Sequence, residues 1–281
     1  MEVVVVYNPQ SGSAPDKSTL SKLCKAHNVT VKAWVPIAQM HTRLPHHIKQ
    51  KAVIAAVGGD GTMSAVAAMI AGTGAILAPL PGGTLNHFTK DLKVSQDIEQ
   101  AIKSLNSARV DTIDSAKVND QVFINNSSIG LYPTSLRVRD RLEDKIGKWP
   151  SAVYAAFRAT IRLRLFTVTI NGKTFKTPFI FVGNNIYKFD GVGIATRTKL
   201  DSGKLSIFIT KTSSRAHLLK IAFLTLLGRA RYIEEFDIYE LNALTVKMKR
   251  RRAYISYDGE VTRLKTPLEY SIHKKSLKIL R

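Results

Sequence analysis

Short apolar runs alternate with segments of helical spacing along the first part of the chain, up to about residue 114. The apolar runs predict strands at Val3 to Tyr7, Val29 to Val35, Ala52 to Val57, Ala75 to Leu80 and Arg109 to Ile113. Apolar residues recur at helical spacing in Lys17 to Ala26, Met63 to Ala71 and Gln96 to Leu105. This alternation is typical of βα units around a mainly parallel sheet, so it predicts an open α/β layer.

Beyond Asp114 the pattern changes to shorter strands separated by turn dipeptides. The dipeptides that favour tight turns are Asn119-Asp120, Asn171-Gly172, Asp190-Gly191, Ser202-Gly203 and Asp258-Gly259. Helical spacing interrupts this pattern at about residues 134–162 and 216–231. We therefore expect an α/β domain over residues 1–115 and an antiparallel β domain over residues 116–281. A return of the C-terminal tail to the first domain stays open.

Positive charge is concentrated in the second of these domains. The whole chain carries 42 Lys and Arg against 21 Asp and Glu, a formal net charge of +21. Residues 1–115 hold 11 basic and 8 acidic side chains, and residues 116–281 hold 31 and 13, so their net charges are +3 and +18. An excess of this size indicates an anionic partner, for which nucleic acid, an acidic membrane and phosphorylated ligands all qualify.

The cysteine content and the length of the apolar runs indicate the compartment. The single cysteine, Cys24, cannot form an internal disulfide, which fits a reducing compartment. The apolar N-terminus has no basic segment and is too short for a signal peptide. No apolar run approaches the roughly 18 to 20 residues that span a bilayer. We therefore expect a cytoplasmic protein whose contact with a membrane is peripheral.

The most informative motif is a glycine-rich turn between a predicted strand and a predicted helix. Gly58, Gly59 and Gly61 leave the backbone bare, so that a phosphate can approach the N–H groups of the helix start. The motif matches neither the P-loop nor the dinucleotide-binding fingerprint. Asp60 is an unusual neighbour for an anion alone but suits the Mg²⁺ that accompanies ATP. A tight strand-to-helix connection without a ligand is the alternative interpretation.

Two further small polar loops follow predicted strands that run in the same direction. Residues 8–13 read Asn-Pro-Gln-Ser-Gly-Ser and follow the first strand, and residues 81–86 read Pro-Gly-Gly-Thr-Leu-Asn and follow the strand that ends at Leu80. Parallel strands of one sheet end at one edge, where open α/β folds bind their ligands. Three such loops at one edge favour a phosphate-binding site over three plain turns.

Four motifs occur in a characteristic order: Asn8-Pro9-x-Ser11-Gly12, Gly58-Gly59-Asp60-Gly61-Thr62, Pro81-x-Gly83-Thr84-x-Asn86-x-Phe88 and Asp258-Gly259-Glu260. In order and spacing they resemble the diacylglycerol kinase catalytic family, which includes bacterial lipid kinases and sphingosine and ceramide kinases and is related to NAD kinase. Residues 111–119, 123–125 and 129–130 also look like the segment of that family that crosses between its domains. The resemblance extends from about residue 3 to residue 260.

The resemblance implies a kinase that uses ATP and Mg²⁺ and acts on a lipid. It implies a nucleotide-binding α/β domain, a β-sandwich domain on the lipid side, and an active site in the cleft between them. The residues that would line the ATP site are Asn8, Pro9, Gln10, Ser11, Gly12, Gly58, Gly59, Asp60, Gly61, Thr62, Met63, Ser64, Ala65, Gly83, Thr84 and Asn86. Asp60 would act on the nucleotide and its metal ion, and His87 and Asp114 would lie on the substrate side.

The resemblance also assigns a general base to Glu260. That role is chemically sound, because phosphoryl transfer needs a positioned carboxylate that accepts the proton of the attacking hydroxyl. Without the resemblance, Asp258-Gly259 is a hairpin turn followed by a solvated glutamate.

Two segments depart from the family pattern. Asn86-His87-Phe88 stands where the family commonly has Asn-Asp-Phe, so an imidazole replaces a carboxylate. The family segment Asp-Asp-Gly-x-Leu-Asp, associated with a structural Mg²⁺ ion, is Asp201-Ser202-Gly203-Lys204-Leu205-Ser206 here. Because hard cations prefer several charged oxygen ligands, the loss of two carboxylates argues against this second metal site.

The basic residues of the second domain suggest a membrane surface as the anionic partner. Arg137, Arg139, Arg141, Lys145 and Lys148 precede Trp149 and Tyr154, and a second run comprises Lys247, Lys249, Arg250, Arg251 and Arg252. Cations beside anionic lipid contribute about 1 kcal/mol each, and aromatic residues suit the headgroup level. A solvated basic face is the alternative. Nucleic acid is not expected, since neither a recognised motif nor regularly spaced aromatics are present.

These observations lead to one main hypothesis and two alternatives. The main hypothesis is an ATP- and Mg²⁺-dependent kinase for a hydroxyl of diacylglycerol or a related lipid at a membrane surface. The alternatives are a catalytically impaired protein that binds nucleotide and lipid, and a kinase of NAD kinase type with a soluble substrate. Pairing of an edge strand across a homodimer stays open.

Overall fold

The structure is a computed structural model that describes residues 1–8, 14–130, 165–170, 173–188, 196–197, 199–210, 214, 236–248 and 250–281. The chain divides into two compact units. The first comprises Met1–Ser115, Gln121–Ile124 and His273–Arg281, and the second comprises Ala116–Asp120 and Asn125–Ile272. The last nine residues therefore belong with the N-terminal part of the chain.

Five α-helices and eighteen strands are assigned within the described residues. In chain order they are β1 (Glu2–Tyr7), α1 (Lys17–Ala26), β2 (Thr30–Pro36), α2 (Met40–Lys49), β3 (Val53–Gly58), α3 (Asp60–Ile70), β4 (Ile76–Pro81), α4 (His87–Asp91), α5 (Ile98–Ser104), β5 (Val110–Val118), β6 (Gln121–Phe123), β7 (Asn126–Gly130), β8 (Phe166–Ile170), β9 (Lys173–Thr177), β10 (Phe179–Asn184), β11 (Tyr187–Lys188), β12 (Thr196–Arg197), β13 (Leu205–Thr210), β14 (Phe236–Leu241), β15 (Ala243–Lys247), β16 (Arg252–Tyr257), β17 (Glu260–Lys265) and β18 (Leu268–Leu280). A 3-10 helix (Ile37–Gln39) precedes α2.

The first unit is built on a parallel sheet with the strand order β2-β1-β3-β4-β18. Neighbouring strands in this order run parallel. The four central residues of β1, Val3 to Val6, are all buried. Such an uninterrupted apolar strand is typical of a sheet that is covered on both faces. The predicted open α/β layer is therefore confirmed.

The helices of the first unit differ in part from those that the spacing predicts. The pattern did not predict α2, which contains Pro45 and buries only Met40 and Leu44. An internal proline removes a helical hydrogen bond, and two apolar residues make a weak periodic signal. Helix α3 begins at Asp60, three residues before its predicted start, because the glycine turn itself forms the first helical turn.

The second unit is an antiparallel β-sandwich, as the resemblance implies. Six strands form one sheet in the order β14-β13-β10-β7-β16-β17. In the other sheet β15 pairs with β8 and with the first residues of β18, and β8 pairs with β9. Side chains bond from sheet to sheet, as between Thr177 and Thr210, whose Oγ1 atoms are 2.9 Å apart.

Some expectations fall on residues outside the described ranges, including the predicted helices at 134–162 and 216–231. Across the ranges that are described, no helix is both long and apolar enough to span a membrane.

Candidate active site

Three loops of the first unit start side by side at one edge of the parallel sheet. Tyr7 at the end of β1 is in register with Val57 of β3, and Gly58 at the end of β3 is in register with Pro81 of β4. Asn8 follows β1 and donates its backbone N–H to the carbonyl of Val57 at 3.4 Å. The common edge predicted for the three loops is thus confirmed. Residues 9–13, with Pro9, Gln10, Ser11 and Gly12, lie outside the described residues.

Two of these loops touch through bare backbone. A Cβ atom placed on Gly83 would lie 2.4 Å from Cα of Gly59, and one placed on Gly59 would lie 3.2 Å from Cα of Gly83. No side chain fits at this contact without moving a backbone segment. Gly61 is different, because a Cβ atom there would meet nothing within 4 Å. The glycines at 59 and 83 thus bring the loops together, and Gly61 leaves open space at the first turn of α3.

The first turn of α3 offers backbone donors to this open space. Its N-cap residue, Gly59, has no side chain, and its carbonyl accepts the N–H groups of Thr62 and Met63 at 3.0 and 3.1 Å. The N–H groups at a helix start have no partner within the helix and form its positive end. Thr62 and Met63 are buried, whereas Ser64 and Ala65 are partly exposed. The N–H groups of Thr62 and Met63 already bond to Gly59, so the donors that this turn can offer to a ligand are the backbone N–H groups of Asp60 and Gly61.

Asp60 connects the glycine turn to the third loop. One carboxylate oxygen accepts the backbone N–H of His87 at 3.1 Å, and the other accepts that of Phe88 at 2.9 Å. These are the first two residues of α4, so the carboxylate of Asp60, a residue of α3, caps the N-terminus of α4. Each oxygen has a further lone pair, which is free to accept another bond or to bind a cation. Asp60 thus has a structural task that the sequence did not indicate.

Asn86 fixes the third loop from within. It adopts a left-handed backbone conformation with φ of 52°, and its Oδ1 accepts the N–H of Gly83 at 2.9 Å. Thr84 and His87 on this loop are exposed. The structure therefore brings Asn8, the glycine turn, Gly83, Thr84, Asn86 and His87 into one region of the first unit.

Asp114 is buried within the first unit rather than exposed at this edge. Its Oδ1 accepts the backbone N–H of Lys275 at 2.8 Å, where β18 has a left-handed residue with φ of 49°. The carboxylate stabilises an irregularity in β18. Its predicted place on the substrate side of the site stays a prediction.

Glu260 lies in the second unit, at the turn of the hairpin formed by β16 and β17. Asp258 and Gly259 form the turn with φ of 45° and 87°, as a two-residue turn with positive φ at both positions requires. Glu260 is exposed and lies opposite Tyr257 in the register. Burial raises the pKa of the Tyr257 phenol, and the carboxylates of Glu260 and Asp258 raise it further. This phenol therefore remains protonated, and a donor, near neutral pH.

The turn that carries Glu260 is anchored by Asp258 and Asn125 of the quoted motifs together with residues outside them. Oδ1 of Asp258 accepts the backbone N–H groups of Asn125 and Asn126 at 2.8 and 3.1 Å. Oδ1 of Asn125 in turn accepts a bond of 2.7 Å from the buried guanidinium of Arg197. The hydroxyl of Tyr187 donates to the carbonyl of Asn125 at 3.0 Å. Glu260 therefore projects from a backbone that is held in place.

The residues of segment 201–206 do not fit a structural cation. The N–H and the hydroxyl of Ser202 both donate to Oδ1 of Asn185 at 2.8 Å, and the hydroxyl of Ser206 donates to the carbonyl of Asn185 at 2.9 Å. The polar groups of Ser202 and Ser206 are thus bonded to protein. Among the residues described, His, Cys, Asp and Glu side chains nowhere form a group of three or more that could bind a metal ion.

The two basic runs of the second domain are only partly described. Residues 137–154, with the first run and its aromatics, and Lys249 lie outside the described ranges. Lys247, Arg250, Arg251 and Arg252 are exposed in the second unit.

Two domain models match consecutive parts of the chain. Residues 2–118 match the model of the diacylglycerol kinase catalytic domain, and residues 142–281 match that of the YegS C-terminal NAD kinase beta sandwich-like domain. A diacylglycerol kinase of Staphylococcus saprophyticus subsp. saprophyticus is 26% identical over 273 residues. The matched region covers 91% of this chain and 88% of the length of that relative. The crystal structure of a diacylglycerol kinase from Bacillus anthracis str. Sterne has the same fold, with a TM-score of 0.70 and 24% sequence identity. The superposition covers 99% of this chain and 96% of that protein's chain.

Proposed function

Because the chain belongs to the diacylglycerol kinase catalytic-domain family, we propose that it transfers the γ-phosphate of ATP to a hydroxyl of diacylglycerol or a related lipid at a membrane surface. The observation that carries this proposal is the backbone contact between Gly59 and Gly83 at the edge where three loops start. Bare backbone and a free helix N-terminus are what a polyphosphate needs for close approach.

The first unit supplies the nucleotide site. Backbone N–H groups at the start of α3 would bind phosphate oxygens, and Gly61 leaves the space for them. Asp60 holds the loop that contains Gly83 and Asn86 against α3 through its two bonds to the start of α4. The Mg²⁺ that accompanies ATP would neutralise charge on the phosphates, and Asp60 is the carboxylate of this region that can face it.

The second unit supplies the proton acceptor. The oxygen of the lipid hydroxyl forms a bond to the γ-phosphorus while the bond from that phosphorus to the bridging oxygen breaks, so that ADP leaves. Glu260 accepts the proton of the hydroxyl. An exposed carboxylate on a firmly anchored turn suits this task, because it needs a fixed position and access to a bulky acceptor.

Transfer of labelled γ-phosphate to a panel of lipids in anionic vesicles tests the proposal, with NAD as a soluble acceptor alongside. We expect a phosphorylated lipid from the wild type and a decrease in its rate of about 10² to 10⁴-fold in Glu260→Gln, with unchanged thermal stability. Glu269→Gln is the matched control, because Glu269 is an exposed glutamate of the same unit, and it should retain the wild-type rate.

Three results would contradict parts of this proposal. Full activity of Glu260→Gln would remove Glu260 as the base. Transfer to NAD but to no lipid would favour the soluble-substrate alternative. Binding of ATP without transfer to any acceptor would favour a protein that binds nucleotide and lipid without turnover.

A further inference from the structure

The end of the β16–β17 hairpin that is far from its turn carries a dense group of cations around one exposed aromatic ring. The register places Arg252 opposite Lys265 and Tyr254 opposite Arg263. Residues directly opposite in an antiparallel pair share one face of the sheet. Arg250 and Arg251 precede β16 and are exposed as well. We name the following set the cationic hairpin end: Arg250, Arg251, Arg252, Tyr254, Arg263 and Lys265.

This set has a fixed geometry. The guanidinium of Arg263 lies over the ring of Tyr254, 5.7 Å from its centre. The N–H and the hydroxyl of Thr266 donate to the carbonyls of Arg251 and Arg250, which holds that segment beside the end of β17. Ser256, the next residue of β16 on the same face toward the turn, is buried. The cations are therefore confined to the open end of the hairpin.

Folding of the sheet does not account for these charges. Like charges directly opposite each other in a sheet are destabilising, and Arg252 and Lys265 form such a pair. Within the described part of the chain, the five cations of this set form no ion pair. Charged residues on an edge strand prevent aggregation, and Arg263 and Lys265 lie on the edge strand β17; Arg252 lies on β16, which is not at the edge of its sheet, so edge protection does not explain the whole set. The arrangement therefore suits an anion that lies outside the fold.

Opposite charges are separated along the hairpin. Between residues 241 and 268 the only acidic residues are Asp258 and Glu260, both at the turn end. At a rise of about 3.4 Å per residue, the five residues from Glu260 to Lys265 span roughly 17 Å. The Debye length at physiological ionic strength is about 8 Å. An anionic surface that meets the open end is thus screened from Glu260.

We infer that the cationic hairpin end is a docking surface for the anionic headgroups of a lipid bilayer. The inference rests on the proposed function for the identity of the partner, because the substrate of a lipid kinase is presented in a bilayer. A tyrosine with an apolar ring and a polar tip suits the interface, and arginine binds phosphate through a planar pair of donors. One aromatic ring among several cations fits a headgroup layer better than single-stranded nucleic acid, which needs successive stacking rings.

Sedimentation with vesicles in the absence of ATP tests this surface without turnover. The double variant Arg263→Glu with Lys265→Glu is compared with the wild type on vesicles of phosphatidylcholine with and without 30% phosphatidylglycerol, chosen as a test composition at about physiological salt. The matched control is Lys173→Glu with Lys176→Glu, which reverses two exposed lysines of β9 in the same unit. A short RNA duplex is the competing ligand.

We expect the wild type to bind the anionic vesicles and not the neutral ones. The reversal at 263 and 265 should weaken that binding by at least about 25-fold, since two cations are lost and each charge near the surface contributes about fivefold. The control should remain within threefold of the wild type. The inference is wrong if the 263 and 265 variant binds like the wild type, if the control loses as much, or if the protein binds the duplex but not the vesicles.

Two further measurements separate this surface from a structural role and from catalysis. The thermal midpoint of the 263 and 265 variant should not be lower, because Lys265→Glu gives Arg252 a partner of opposite charge, which offsets the lost contact of Arg263 with the Tyr254 ring. A lower midpoint would assign the cations to folding. The variant should lose phosphoryl transfer to vesicle-bound lipid but keep it to a short-chain, monomeric acceptor. If no acceptor is phosphorylated, the proposed reaction fails while the result of the sedimentation stands.

Discussion

Two aspartates of the predicted motifs, Asp60 and Asp258, each bind the backbone of a segment that is distant in the sequence. Asp60 accepts two backbone bonds from α4, and Asp258 accepts two from residues 125 and 126. Two charge-assisted bonds hold a carboxylate in one orientation. Glu260, only two residues from Asp258, is exposed. Of the two acidic residues of this motif, Asp258 thus anchors the turn and Glu260 faces the solvent.

Replacing Asp60 should lower stability before any effect on catalysis is considered. Because the Asn side chain has only one acceptor oxygen, Asp60→Asn places its NH₂ group against one of the two backbone N–H groups and loses that bond. Asp60→Ala loses both bonds. We expect a decrease of about 2 kcal/mol in the free energy of unfolding, measured by urea denaturation. Asp120→Asn, an exposed aspartate, is the control. Unchanged stability with lost ATP binding would instead assign Asp60 to the nucleotide alone.

At the scale of the elements, the candidate site is a product of close backbone contacts. The strands β1, β3 and β4 end in register, and their loops meet because Gly59 and Gly83 have no side chains. The anchored hairpin in the second unit follows the same principle, since its turn needs positive φ at Asp258 and Gly259. Small and turn-forming residues therefore determine where the polar groups can lie.

Two alanine substitutions separate loop contact from ligand contact. In Gly83→Ala the new Cβ would lie 2.4 Å from Cα of Gly59, so we expect a loss of about 1–3 kcal/mol in unfolding free energy. Gly61→Ala meets nothing within 4 Å and lies in a helix, so stability should be equal or up to about 1 kcal/mol higher. Calorimetry should nevertheless show weaker ATP binding in Gly61→Ala. Retained affinity there would exclude phosphate contact at this turn.

The loop that contains Ser202 should be insensitive to chelators. Its serine hydroxyls and the carbonyl and amide oxygens of Asn185 satisfy one another, so no cation is needed for their charge or bonding. We expect the same thermal midpoint with and without EDTA in the absence of nucleotide. A clear decrease with EDTA, restored by Mg²⁺, would show that a structural cation is bound after all.

At the scale of the whole molecule, the chain leaves its first unit and returns to it. β18 begins in the second unit and ends as a parallel strand beside β4, with Lys278 and Ile279 in register with Ile76 and Leu77. Leu277 and Ile279 are fully buried and Leu280 nearly so. The first unit is therefore incomplete without the last residues of the chain.

Deletion of residues 273–281 should prevent the first unit from folding. The deletion removes three large buried side chains, each contributing about 1.5–3 kcal/mol, and their sum is comparable to the total stability of a domain. Amide exchange and circular dichroism should show loss of the parallel sheet. Deletion of Arg281 alone is the milder control, since it removes only a partly exposed ion pair with Asp111 and two backbone bonds to Arg109, and the first unit should stay folded. A folded first unit in the longer deletion would contradict this account.

The arrangement of βα units and the candidate phosphate loops could be predicted because their signals are local. β-branched runs, helical spacing and the sequence Gly-Gly-Asp-Gly each depend on neighbouring residues, and parallel strands then end at one edge by topology. Helix α2 was missed because Pro45 and a narrow apolar stripe obscure its period.

Only the tertiary structure determined which residues that are far apart in the chain pair with each other. Asp60 bonds to residues 27 and 28 positions away, and Arg197 bonds to Asn125 across 72 positions. Arg263 joins Tyr254 only through the register of a hairpin. A hydrogen bond or a cross-strand contact depends on distance in space and leaves no period along the sequence. The sequence by itself determined most elements of the first unit and the edge where the candidate loops start, and the folded chain decided which residues hold the candidate site in place.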